Sequence, residues 1–273
     1  MKELTNRKSI IIISLTLVIL MIFYIGTYYS DGIYHNRINC GANIFYTFNS
    51  FLPFYLLLAF LSGNLVVSNF YQNKYSKFQN MIITRVGAKK RIFYEIKKVI
   101  YTSIIFRLLI HIISLLVIHI FFSKIHFVQH SNIEYYASSF VALSSNPTVS
   151  LILYIIYSTI GFCVFSLFIY GFIYFVKNRY VYKVSGIILY VGLVVFAAII
   201  GNQLYVYFSD IKFSNPFLQA INTSSLLIPG LETATSITFI LETNVYFWYT
   251  CIMFLIYSGV FSFIRWKMER KNG

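Results

Sequence analysis

Charge is what this chain has least of: only 11% of its 273 residues are Asp, Glu, Lys or Arg, and just eight of them are acidic. That is too little charge to cover a water-soluble domain of this size. Proline is scarce as well, with four residues, so long segments run without a helix breaker. The three cysteines, Cys40, Cys163 and Cys251, lie far apart and form no CxxC pair, so no disulfide framework or zinc site follows from them. HExxH, GxSxG and paired carboxylates within an apolar run are missing, and with them the usual signatures of a catalytic centre. No GxxxxGK[ST] loop occurs: "GAKKR" at Gly87 has neither the second glycine nor the Lys-Ser/Thr ending that cradles nucleotide phosphates.

What is present in excess is apolar surface. Hydrophobic residues make up 58% of the chain and the mean hydropathy is +0.72, which predicts an all-α integral membrane protein of one domain, residues 1–273. Uncharged or nearly uncharged runs close to the roughly 20 helical residues that cross a bilayer fall at 9–29, 51–71, 99–122, 149–176, 184–208 and 245–264. The first, "SIIIISLTLVILMIFYIGTYY", is apolar on every face, whereas barrel strands would alternate over about ten residues. It is too long for a signal-peptide core and lacks a small-x-small cleavage site, so it is expected to be retained. Six transmembrane helices are predicted.

Lys and Arg set the orientation. With the N-terminus inside, 18 of them fall on inner segments, eight between residues 74 and 98, against only Arg37, Lys124 and Lys212 outside. Both termini are therefore predicted to be cytoplasmic. The formal charge of +14 is accounted for by basic loops facing an anionic inner leaflet, not by nucleic-acid binding. Abundant Ile, Lys, Asn, Tyr and Phe with little Ala fits AT-rich coding and a bacterial cell membrane.

Polar residues inside the runs are the candidate functional groups. Arg107 lies nine residues beyond Lys98, with His111 one helical turn later, and both could point inward along the third span. The sequence favours a blander arrangement for Arg107, its long side chain snorkelling to the inner headgroups. His126, His130 and Glu134 share an i, i+4, i+8 spacing, yet they occupy a short polar loop and are read as a solvated outer face with no metal. The 24 Tyr and 28 Phe residues are assigned to packing and interfacial anchoring. Between 209 and 244, Asn215-Pro216 and Pro229-Gly230 punctuate apolar pieces too short to span, which predicts an outer helical hairpin.

The loop 74–98 carries a finer pattern. Phe78, Met81 and Ile82 are spaced i, i+3, i+4 as in a short amphipathic helix; Gly87 interrupts it, and a second helix starts at Lys89 and runs into the third span. Six spans with both termini inside, this basic loop "NMIITRVGAKKRIFYEIKK" and the punctuated hairpin between spans five and six together resemble the permease subunit of an ABC-2 type transporter. The resemblance covers nearly the whole chain in layout. It implies that Phe78, Met81, Ile82, Thr84 and Arg85 form a coupling helix against an ABC ATPase subunit, which would hold the ATP and Mg. It also implies a second permease copy or sister permease completing the path through the lipid bilayer. Only Met1 to Lys8 precede the first run, leaving room for at most a reduced version of the family's elbow helix. The resemblance implies an exporter of a peptide or toxic amphiphile with no enzymatic activity or cofactor of its own. The alternatives are a non-transporting immunity or signalling subunit that binds a peptide or sensor protein and, less favoured, an intramembrane enzyme.

Overall fold

A computed structural model of the chain describes residues 52–67, 88–121, 147–172 and 178–208, together with Val18, Ile22, Phe45, Asn49, Phe70, Val176 and Gly259. The described segments are helical: α1 (Leu52–Leu61) passes into a π-helical stretch, Ser62–Val67, and is followed by α2 (Ala88–Phe121), α3 (Pro147–Phe172) and α4 (Arg179–Phe208). The expected coupling residues Phe78, Met81, Ile82, Thr84 and Arg85, the hairpin at 209–244 and the His126, His130, Glu134 series lie outside the described residues. So do the expected spans at 9–29 and 245–264, except that Val18, Ile22 and Gly259 are helical.

Local chemistry accounts for the ends. α2 begins immediately after Gly87, where helical propensity collapses. It then runs unbroken for 34 residues, about 51 Å at 1.5 Å per residue, so the expected basic helix and the expected third span are one rod. That rod exceeds the roughly 30 Å of a hydrocarbon core, and its surplus is the basic first part, Lys89 to Lys98. Pro147 opens α3 at the position where a missing N–H costs nothing. Asn178 caps α4: its Oδ1 accepts from the Tyr180 N–H at 2.8 Å, and its carbonyl accepts from Tyr182 N–H at 3.0 Å.

The expected span at 51–71 is helical over its described residues and changes pitch within them. Phe45 and Asn49, expected in an outer loop, are helical and fully buried, and regular α-helix stops at Leu61. The π-helical turns follow where Ser62-Gly63-Asn64 supplies small and polar groups. Ser62 Oγ donates to the Ala59 carbonyl at 2.8 Å, and Asn64 Nδ2 donates across to the Lys183 carbonyl of α4 at 3.2 Å.

Contacts give the helix directions. Along the α2–α3 seam, Glu95 meets Tyr170, Phe106 meets Phe162 and His111 meets Ser158 and Tyr154. Residue numbers climb on one helix as they fall on the other, so the two are antiparallel. Tyr55 against Tyr190 and Gly63 against Lys183 make α1 and α4 antiparallel as well. Phe70, just past the π-helical stretch, packs on Tyr170 and under Lys98. Direction therefore alternates through α1, α2, α3 and α4, and the basic starts of α2 and α4 share one end of the bundle.

The α1–α4 seam is a backbone contact. Ala59 and Gly63 lie one turn apart on one side and Gly186 on the other. A methyl added at Gly186 would land on the Ala59 carbonyl, and one at Gly63 would come within 2.8 Å of the Lys183 oxygen. Small residues at such a crossing let helices approach closely where packing, and not water exclusion, holds them together.

The core is mostly apolar, but it also takes in polar residues while the outward faces of the helices are apolar. On α2 the exposed face carries Ile104, Leu108, Leu109, Ile112, Ile113, Leu116 and Ile120, while Ser103, Arg107, His111 and Ser114 are buried. α3 exposes Ile152, Ile156 and Ile160, and α4 exposes Ile188, Val191, Val195 and Ile199. Two described helical stretches, Lys90–Ile120 and Leu151–Phe172, are long and apolar enough to cross a membrane. An apolar exterior with polar groups buried inside suits hydrocarbon better than water.

Candidate functional site

The buried polar groups converge halfway along α2 and α3. Arg107 is fully buried. Counting nine residues at 1.5 Å from Lys98 puts it about 13 Å in from the basic end, close to the midpoint of a bilayer core of roughly 30 Å. Its Nη2 donates to Asn49 Oδ1 at 3.3 Å, and the guanidinium carbon lies 5.4 Å from the centre of the Phe54 ring, a cation–π distance. Asn49 is oriented by its own helix, Nδ2 donating to the Phe45 carbonyl at 2.8 Å and leaving Oδ1 for the arginine.

His111 follows one turn later on the same face of α2. Its Nε2 is 2.6 Å from Ser158 Oγ, and Ser158 Oγ is in turn 3.2 Å from the Ile155 carbonyl. The carbonyl can only accept, so both contacts are hydrogen bonds when Ser158 gives its proton to Ile155 and His111 donates through Nε2. Nδ1 is then the acceptor nitrogen. The imidazole is held between Phe45 at 5.6 Å and Tyr154 at 6.1 Å, both ring-centre distances. Ser158 and His111 have the composition of a nucleophile and base, yet Ser158 lies mid-helix, where backbone N–H groups are bonded within α3 and none is free to stabilise an oxyanion.

Several of these groups lack a full set of partners. Arg107 Nε and Nη1, His111 Nδ1 and the hydroxyls of Ser103 and Ser166 make no hydrogen bond among the described residues. Glu95, the one acidic residue described, is twelve residues from Arg107 along α2, about 18 Å. It is engaged elsewhere, accepting from Arg91 Nε at 2.9 Å and from Tyr170 Oη at 2.6 Å. With Lys98 Nζ over the Phe70 ring at 5.5 Å, and Phe70 edge-on to Tyr170, this second cluster ties the basic start of α2 to the end of α3.

Of the sequence candidates, Arg107 and His111 are brought together in the bundle interior. Arg107 does not reach outward as the expected snorkelling requires: it is fully buried, with its charge facing Asn49 and Phe54 of the neighbouring segment. Asn49, Ser158, Glu95 and Tyr170 were not singled out in the sequence. Only Asn49 left a trace there, as an amide two residues before the apolar run at 51–71. Among the described residues no three of His, Cys, Asp and Glu are grouped as metal ligands. Cys163 is buried with its thiol 3.8 Å from the Ile100 carbonyl. Comparison with protein-family models, curated proteins and solved structures finds no match to this chain.

Proposed function

We propose that this chain is the permease subunit of an ABC-2 type exporter of the bacterial cell membrane, with six spans and both termini cytoplasmic. It forms half of a translocation path, completed by a second permease copy or a sister permease. A separate ATPase subunit binds ATP and Mg and drives it through the segment containing Phe78, Met81, Ile82, Thr84 and Arg85. The cargo is a peptide or toxic amphiphile. The observation that carries this reading is the Arg107–Asn49 and His111–Ser158 cluster, a polar interior at mid-depth under an apolar exterior. A bundle that served only as an anchor has no use for ionisable groups at that depth, whereas a solute path does. The gathering of basic helix starts at one end supports a common cytoplasmic face, and the ABC-2 resemblance rests on the layout of the sequence.

The test is co-purification. The full chain, tagged and extracted from its own membranes in mild detergent, should bring with it a vanadate-sensitive ATPase. Met81→Ala with Ile82→Ala, and separately Arg85→Glu, should reduce the recovered ATPase by about thirtyfold, the effect of losing a docking hot spot, without loss of expression or insertion. ATPase absent from the wild-type preparation, or recovered equally with both variants, refutes the permease assignment. An immunity or signalling subunit is then the reading that remains.

A further inference from the structure

The basic start of α2 is divided between two faces. Arg91 and Lys98 are engaged inward, Arg91 on Glu95 at 2.9 Å and Lys98 over the Phe70 ring at 5.5 Å. Lys90 and Lys97 each precede one of them, about 100° round the helix, and are exposed. The same outward side carries Phe93, Tyr94 and Tyr101, each more than half exposed. At about 100° per residue, Lys90, Tyr94, Lys97 and Tyr101 fall within about 60° of one another, so ammonium and ring alternate along a single stripe. Beyond Tyr101 the stripe continues through Ile104, Leu108 and Ile112, all exposed and all aliphatic.

A stripe that is cationic and aromatic at one end and aliphatic for the rest has the polarity profile of one phospholipid. From Lys97 to Ile112 the helix rises about 22 Å, and one leaflet with its headgroups is about 20–22 Å thick, half of a bilayer of roughly 40–45 Å. We infer that this face of α2 holds an anionic phospholipid of the inner leaflet, its headgroup between Lys90 and Lys97 and its acyl chains along Ile104, Leu108 and Ile112. The two lysines are about 10 Å apart along the helix, and their flexible four-carbon stems can bring both ammonium groups to one phosphate. Tyr94 lies between them and Tyr101 just below, at the depth that amphipathic rings favour. Charge complementarity selects an anionic lipid over a zwitterionic one, because each lysine adds attraction only where the headgroup carries net negative charge.

The site requires α2 to cross the membrane but not the permease reading, so the ATPase recovery described above and the following measurement fail independently. In full-length protein with Trp248 and Trp266 replaced by Phe, one lipid-facing tryptophan is introduced by Leu108→Trp or, at the same depth on α3, by Ile160→Trp; the pairs Phe106–Phe162 and His111–Ser158 set that level. Quenching by brominated phosphatidylglycerol or brominated phosphatidylcholine in mixed bilayers gives the relative affinity of the two lipids at each tryptophan. With Leu108→Trp the anionic lipid should be preferred by at least about fivefold, the effect of one lysine, and by up to about thirtyfold for two. With Ile160→Trp the two lipids should differ by less than about twofold. Lys90→Gln with Lys97→Gln should abolish the preference at the α2 reporter, whereas Lys183→Gln, at the same end of the bundle but on α4, should retain at least about half of it. A readout that needs no substitution is native mass spectrometry of the wild-type chain with equimolar phosphatidylglycerol and phosphatidylcholine, where the one-lipid adduct should be mainly phosphatidylglycerol. Equal adducts overturn the site, as do equal preferences at the α2 and α3 reporters, which would mean a diffuse attraction to the whole basic end. A double lysine variant that keeps its lipid preference also overturns it, and if that variant at the same time loses the ATPase, the face docks protein instead.

Discussion

Substituting three glycines by alanine should have graded effects that follow from the α1–α4 seam. Gly186 is the extreme case, because an added Cβ meets the Ala59 carbonyl and its carbon at 2.9 Å and also lies 3.2 Å from Ile169 Cδ1. The isoleucine tip can rotate away, but a carbonyl in the middle of a helix cannot. α1 and α4 must then separate, and Gly186→Ala should cost about 1–3 kcal/mol, the usual range for overpacking. At Gly63 the Cβ would stand 2.8 Å from the Lys183 oxygen, against 3.4 Å for ordinary contact, with the next atoms at 3.6 and 3.7 Å. This partner is again a backbone carbonyl, so the helices must part by about 0.6 Å, less than at Gly186, and the cost should be smaller than there, at about 1–2 kcal/mol. Gly192, on the same helix as Gly186, has nothing within 4 Å. There alanine should stabilise by roughly 0.5–1 kcal/mol through helical propensity alone. The double variant Gly63→Ala with Gly186→Ala should cost less than the two singles combined, since a seam opened once accommodates both methyls. Thermal unfolding of the purified protein, followed by loss of the monodisperse peak on size exclusion, should move by roughly 2–4 °C per kcal/mol in a chain of this size. Gly186→Ala as stable as wild type, or Gly192→Ala as damaging as Gly186→Ala, would show that α1 and α4 do not meet backbone to backbone.

Two further outcomes are expected. Tyr170→Phe keeps the ring edge on Phe70 but removes the 2.6 Å hydrogen bond to Glu95. It should cost about 1.5–3 kcal/mol, as for a hydrogen bond to a charged group, and most of that should vanish in a Glu95→Ala background; a double-mutant coupling near zero would mean the two side chains do not interact. Reporter fusions within 74–98, within 177–183 and after 271 should read cytoplasmic and those within 209–244 external, following the Lys and Arg imbalance. A cytoplasmic signal from 209–244 refutes six spans.

The sequence by itself determined which of the described segments become helices and where several of them begin. Gly87, Pro147 and Asn178 act within a turn of themselves, through lost propensity, a missing N–H and a capping amide, so the limits of α2, α3 and α4 were legible to within a few residues of the expected runs. That the basic helix continues into the third span was legible for the same reason. The rotation of each helix about its axis was not. Segments apolar on nearly every face carry little information about which face turns inward, and the choice falls to contacts between residues far apart in the chain. Arg107 snorkels in an isolated helix. It is buried here because α1 and its approach bring Asn49 and Phe54, more than fifty positions earlier, against α2. The partnership of His111 with Ser158 and of Glu95 with Tyr170 depends on the antiparallel register of α2 and α3, which no local pattern encodes. Gly186 likewise looks like any glycine in a span until Ala59 is packed against it. Local backbone chemistry made the helices readable, and the polar centre exists only because packing turned α2, α3 and the chain around α1 toward one another.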